Sequence, residues 1–230
     1  MNFNTQTYDG FGGAVSAEQR NRVMRNTYWL LALSLLPTVL GAWVGVSTGI
    51  TASLTGFMGL VVFLGGAFGF MYAIEKTKNS AAGVPVLLAF TFFMGLMLSR
   101  LLAQVLGFKN GSELIMTAFG GTAGIFLVMA SLSTVIKRDL SGMGKWLFIG
   151  AIGILIGGVI NVFVGSPVGM AVLSVMAIIV FSGFLLYDLK RIVDGGETNY
   201  ISATLGLYLS VFNIFQSLLA LLGIFGGERH

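Results

Sequence analysis

The chain has 230 residues, of which 56% are hydrophobic and 10% charged, with a formal net charge of +4 at pH 7 and a mean hydropathy of +0.90. Soluble domains carry about 25% charged residues, so a water-exposed globular surface is excluded and the chain reads as a polytopic membrane protein. It has no cysteine and a single histidine, His230, which excludes a disulfide framework, a thiolate or multi-histidine metal site, a cysteine nucleophile and histidine-based catalysis.

The first stretch, MNFNTQTYDGFGGAVSAEQRNRVMRN, is polar for more than twenty residues, with no short apolar core close behind basic residues as a cleaved signal would have. Residues 1–26 are expected to form a cytosolic tail, flexible at least to residue 20, because Gly, Asn, Thr and Gln offer too little apolar surface to fold alone. A bilayer core of roughly 30 Å needs about 20 apolar residues in a helix. Seven runs meet that length, near 28–46, 53–74, 82–106, 114–136, 146–164, 168–187 and 203–225. The predicted fold is an all-α membrane protein of seven transmembrane helices over residues 27–226, followed by a short periplasmic segment, 227–230. Only GSPV separates the fifth and sixth runs, which leaves a re-entrant hairpin open there.

Basic residues alternate with these runs. Arg20, Arg22, Arg25, Lys76, Lys78, Lys137, Arg138, Lys145, Lys190 and Arg191 fall at one end of the spans, against Lys109 and Arg229 at the other. Positive charge concentrates on the cytosolic side, so the N-terminus is expected in the cytosol and the C-terminus in the periplasm. The acidic residues Glu75, Glu113, Asp139, Asp194 and Glu197 lie near span ends, where solvated loop charges are expected.

Glycine is unusually frequent, with 33 residues, and recurs within spans at Gly65 and Gly69, at Gly120, Gly121 and Gly124, and at Gly153 and Gly157. Small residues four apart let helix backbones approach closely in lipid, so these positions are expected to be helix contacts; a gating hinge is the alternative.

Three places put polar chemistry inside or at the edge of a span. Arg100, in FFMGLMLSRLLAQVLGF, is either an intramembrane functional charge or a side chain reaching for the nearby interface. Asp188, in FLLYDLKRIVDGGE, is either a solvated or ion-paired carboxylate or a proton-sensitive gate. In the last span Gly206, Ser210, Asn213, Ser217 and Ala220 recur every three or four residues along one face, with Gln216 beside them. A lone amide in hydrocarbon is costly, so this polar seam is expected to face protein, as interhelical hydrogen bonding or as a water- or ion-lined path. An intramembrane protease would need a nucleophile with its base, or aspartates paired on neighbouring spans, and neither occurs in the sequence.

The segments VMRNTYWLLALSL, AFGGTAGIFL, KRDLSGMG and GGETNYISATLGLYLSVFNIFQSLLALLG, in this order over nearly the full length, resemble the transmembrane Bax-inhibitor-motif family, also called the Bax inhibitor-1 family. The resemblance implies an inner-membrane protein whose seventh helix is surrounded by two groups of three. It also implies a site. In calcium-leak members, an aspartate near the end of the sixth helix shares a proton with one in the seventh; Asp188 matches the first, and Ser210 stands at the second, where those members read LYLD. A serine hydroxyl does not titrate, so the paired latch is not carried over. Arg100 stands where many relatives carry the proline of a Gly-Pro pair, and no family role passes to it. Bacterial members similar to this chain are implied to be partners and modulators of FtsH, a membrane-anchored AAA+ protease. The resemblance therefore implies a non-enzymatic inner-membrane modulator of FtsH, with a pH-regulated calcium leak channel as the alternative. The lipid bilayer and, in that alternative, calcium ions complete the expected partners; no cofactor and no nucleic acid are expected. A small-molecule transporter finds little support, since no inverted repeat or broken-helix pair is visible.

Overall fold

The computed structural model describes residues 16–228. Among them are seven helices: α1 (Ala17–Thr48), α2 (Gly56–Thr77), α3 (Gly83–Leu106), α4 (Gly111–Val135), α5 (Met143–Val164), α6 (Pro167–Asp194) and α7 (Tyr200–Gly226). Each is long and apolar enough to cross a membrane, and each overlaps one of the seven predicted runs. The largest differences lie at the polar ends. Ala17–Arg20, expected in the flexible tail, form the first turn of α1, because the Ser16 hydroxyl accepts a hydrogen bond from Gln19 N at 3.1 Å and caps the helix. α6 likewise continues past residue 187 to Asp194. The remainder of the predicted tail, residues 1–15, and the terminal Arg229 and His230 lie outside the described residues.

The short GSPV link closes a complete hairpin of two helices. Gly165 ends α5 at φ +67°, a left-handed conformation that glycine adopts without strain. Ser166 then caps α6 by accepting from Gly169 N at 3.0 Å, and Pro167 takes the first helical position, where no N–H partner is needed.

α7 is the axis of the bundle. It packs against α1, α2, α3, α4 and α6, and no residue from Tyr200 to Gly223 is exposed. α1, α2 and α3 form one group and α4, α5 and α6 the other, with α5 outermost and no residue of it buried. Leu87, Phe90, Leu185, Leu189, Leu207 and Ile214 are fully buried where the groups meet α7. Two sets of loop contacts define the two ends. Asn199, before α7, bonds to Lys78 and Asn79 between α2 and α3. At the other end Asn110, before α4, bonds to Gly226 and Glu228. The ten basic residues grouped by sequence thus cluster at the Asn199 end, called the basic end below.

The closest helix contact is between α1 and α3. A methyl group at Gly41 would run into Phe92 O, and one at Gly95 into Thr38 O, while Gly45 lies against Ser99. Only residues without a side chain allow backbones this near. The glycines expected to make such contacts mostly do not. Gly65, Gly69, Gly120, Gly124 and Gly153 have open space where a side chain would go, Gly121 meets only Leu218, and Gly157 alone of the set is tight, against Leu173. Four-residue spacing marks a face of a helix, but it does not say whether that face meets protein or lipid.

Candidate functional site

The junction of α6 and α7 at the basic end is built from caps. Gly195, at φ +81°, turns the chain out of α6, and Gly196 N donates to Arg191 O at 2.8 Å. Three residues later Asn199 starts α7: its Oδ1 accepts from Ile201 N at 2.9 Å and Ser202 N at 3.0 Å. Its Nδ2 donates to Lys78 O at 3.2 Å and Asn79 Oδ1 at 2.8 Å. One side chain therefore caps the central helix and ties it to the α2–α3 turn.

Below this junction lies a cavity of about 290 Å³, lined among others by Asp188, Arg191, Glu197, Ser202, Gly206 and Leu209. Asp188 is partly buried, with its carboxylate against the backbone of Gly206. Across the cavity mouth Arg191 Nη2 meets Glu197 Oε2 at 3.2 Å, and the Arg191 guanidinium lies 5.9 Å from the centre of the Tyr187 ring. Glu197 Oε1 also accepts from Asn199 N at 3.0 Å. Among the described residues, then, Glu197 is engaged by its neighbours, while the Asp188 carboxylate has neither an ion-pair nor a hydrogen-bond partner. A carboxylate so placed can take up a proton or a cation that enters the cavity.

Ser210 lies one helical turn beyond Gly206, buried, and is not part of the cavity lining; no hydrogen bond joins it to Asp188. Ser217 is also buried, whereas Asn213 and Gln216 are partly so. The polar face of α7 does turn towards protein, but Asn213 does not bond to another helix. Its Nδ2 donates to Leu209 O of α7 itself, at 2.8 Å, because an i−4 carbonyl is within reach in any helix and can take an amide N–H without a partner helix. Arg100 is exposed near the end of α3 opposite the basic end, where its Nη1 donates to Leu54 O in the α1–α2 loop at 3.0 Å; it stands at the other end of the bundle from Asp188.

The interhelical polar contacts of α7 lie on a different face. Tyr208 Oη shares a 2.8 Å hydrogen bond with Thr38 Oγ1 of α1 and donates at 3.4 Å to Thr91 O of α3. One turn earlier Thr204 Oγ1 donates to Tyr200 O at 2.7 Å and reaches Thr27 O of α1 at 3.4 Å. Thr27 Oγ1 is buried without a hydrogen-bond partner. Thr204 and Tyr208 are four apart, as were the seam residues, and that spacing was the available signal; a tyrosine among Leu, Phe and Ile reads as an ordinary core aromatic.

A family model described as inhibitor of apoptosis-promoting Bax1 (Bax1-I) matches residues 20–227. A Vibrio cholerae protein described as an uncharacterized membrane protein is 37% identical over 206 residues, covering 90% of this chain and 91% of its own. Modulator of FtsH protease YccA from Escherichia coli K12 is 37% identical over 203 residues, 88% of this chain and 90% of its own. A protein of Neisseria meningitidis serogroup B, described as uncharacterized, is 31% identical over 224 residues, 96% of this chain and 99% of its own. With six helices in two groups of three about a central α7 and a family match along almost the whole described chain, the protein belongs to the Bax inhibitor-1 family.

Proposed function

We propose that this chain is an inner-membrane protein that binds FtsH and modulates its proteolysis. The observation that carries the proposal is the 37% identity, along 88% of the chain, to a protein named as a modulator of FtsH. The physical logic is consistent with it. A protease that pulls on membrane proteins needs a polar handle, and residues 1–15 have the composition of one. Extraction would have to take apart seven packed spans and expose their polar groups to lipid. The packed spans keep the protein on FtsH whether or not the handle is present, and a bound chain that resists extraction occupies the protease and slows its action on others. The reading places the N-terminus and the basic end in the cytosol and the C-terminus in the periplasm, as positive charge at that end favours. Native complexes isolated in mild detergent test it: FtsH is expected to be retained with the tagged protein, and its consistent absence overturns the proposal. Reporter fusions near residues 78, 140 and 193 are expected in the cytosol, and one after residue 230 in the periplasm.

The Asp188 cavity favours a second reading, a cation leak. Because Ser210 cannot share a proton with Asp188, calcium flux into proteoliposomes is expected to be weak and without a steep change between pH 6 and 8. Robust flux that switches in that window would promote the channel above the modulator.

A further inference from the structure

α1 is longer than a bilayer requires. Its 32 residues extend about 48 Å against a hydrocarbon core of roughly 30 Å, and the excess lies in the polar turns from Ala17 to Asn26. Arg22, Arg25, Trp29, Leu33, Leu36 and Leu40 are spaced three or four residues apart and so share one face. All six are exposed, with Trp29 at 73% and Leu36 at 61%. The opposite face, with Val23, Thr27, Leu30 and Ser34, is buried.

Along the exposed face the chemistry changes in a fixed order: two guanidinium groups, an indole, then three leucines. A phospholipid presents its phosphate, its glycerol esters and its acyl chains in the same order. Tryptophan favours the depth of the esters, and Arg25 and Arg22 stand about 6 and 10 Å further along the axis, in the headgroup layer. Among the described residues no carboxylate lies within ion-pairing distance of either arginine, although Glu18 is one turn from Arg22. Guanidinium matches phosphate in charge and in its paired donors.

We infer that the outer face of α1 binds an anionic phospholipid, with its phosphate between Arg22 and Arg25, its ester region against Trp29 and one acyl chain along Leu33, Leu36 and Leu40. An acidic protein segment would meet the arginines equally well, but the same face runs without a break into leucines that belong in hydrocarbon. The inference stands apart from the FtsH proposal.

The test uses the full chain with Trp43→Phe and Trp146→Phe, which leaves Trp29 as its sole tryptophan, in nanodiscs of phosphatidylcholine containing a minority of phosphatidylglycerol. Bromine is carried on the acyl chains of one lipid or the other at equal mole fraction, and quenching of Trp29 fluorescence is read. Brominated phosphatidylglycerol is expected to quench more strongly. Arg22→Gln with Arg25→Gln is expected to remove that preference, by roughly fivefold in apparent affinity per arginine. Lys137→Gln with Arg138→Gln removes the same charge from the α4–α5 loop and is expected to leave the preference intact. Equal quenching by the two lipids in the unsubstituted chain overturns the inference, as does equal loss in both double variants. Displacement by excess inorganic phosphate would show a free-anion site and overturn the lipid assignment.

Discussion

The Asp188 carboxylate rests on the bare backbone of Gly206: a methyl group at residue 206 would sit 2.8 Å from Oδ2 and 3.3 Å from the carboxyl carbon. The closeness of α6 and α7 at the basic end therefore depends on a residue without a side chain opposite a short, stiff acid. The cavity takes its shape from the same pair.

Gly206→Ala is expected to force Asp188 out of its present orientation. Overpacking costs about 1–3 kcal/mol, offset by up to about 1 kcal/mol of improved helix propensity, so the net loss is expected to be about 1 kcal/mol. Asp188→Ala should relieve the crowding, and unfolding in mixed micelles should give a coupling of about 1 kcal/mol between the two substitutions. Strict additivity would mean that the two residues do not meet.

Tyr208 joins α7 to α1 and α3 through Thr38 and Thr91. Tyr208→Phe should cost about 0.6 kcal/mol and at most about 1.7, the range for interhelical polar contacts in membranes. Thr38→Val should cost little more once Tyr208 has been replaced. Asn213→Leu should have no such coupling to another helix, since its amide bonds within α7.

The glycines should divide sharply. Gly41→Ala and Gly95→Ala would drive a methyl group into a facing carbonyl and are expected to cost about 3 kcal/mol or more, or to abolish folding. Gly65→Ala, Gly120→Ala and Gly153→Ala face open space and should be neutral, or stabilising by up to about 1 kcal/mol. Folded yield and resistance to detergent unfolding measure both sets.

These contrasts show what one sequence could and could not reveal. The seven apolar runs are local signals, and each corresponds to an observed helix; the polar rhythm of α7 marked a face but not its interhelical bonds, which lie with Thr204 and Tyr208. The α1–α3 contact is not local: Gly41 and Gly95 are separated by more than fifty residues, and nothing in either segment names the other. In lipid an outward face is as apolar as an inward one, so burial left no mark on Gly65 or Gly153. The place of Asp188 at the basic end was readable from Lys190 and Arg191 beside it; its contact with Gly206 was not, because it depends on the rotation of α7.

One pH effect lies outside the membrane. In the α4–α5 loop Ser141 N and Oγ both donate to Asp139 at 2.8 Å, and these bonds hold the carboxyl below its ordinary value. The folded-state value is depressed, so the loop's stabilisation is present at neutral pH and is lost as pH falls through that value. Ser141→Ala should raise the Asp139 midpoint, read from its carboxyl carbon shift by NMR. An unchanged midpoint would show that the serine hydroxyl contributes nothing.

The central claim is that this chain engages FtsH and resists it. Ser16 caps α1, so a deletion of residues 2–15 removes the proposed handle and spares the helix. The shortened chain is expected to insert normally and to outlive the full-length protein in cells containing FtsH. The most direct measurement is the decay of a separate FtsH membrane substrate while the shortened chain is overproduced. The account predicts that this decay slows in proportion to the amount of shortened protein; decay at an unchanged rate, with the shortened protein abundant in the membrane, would contradict it.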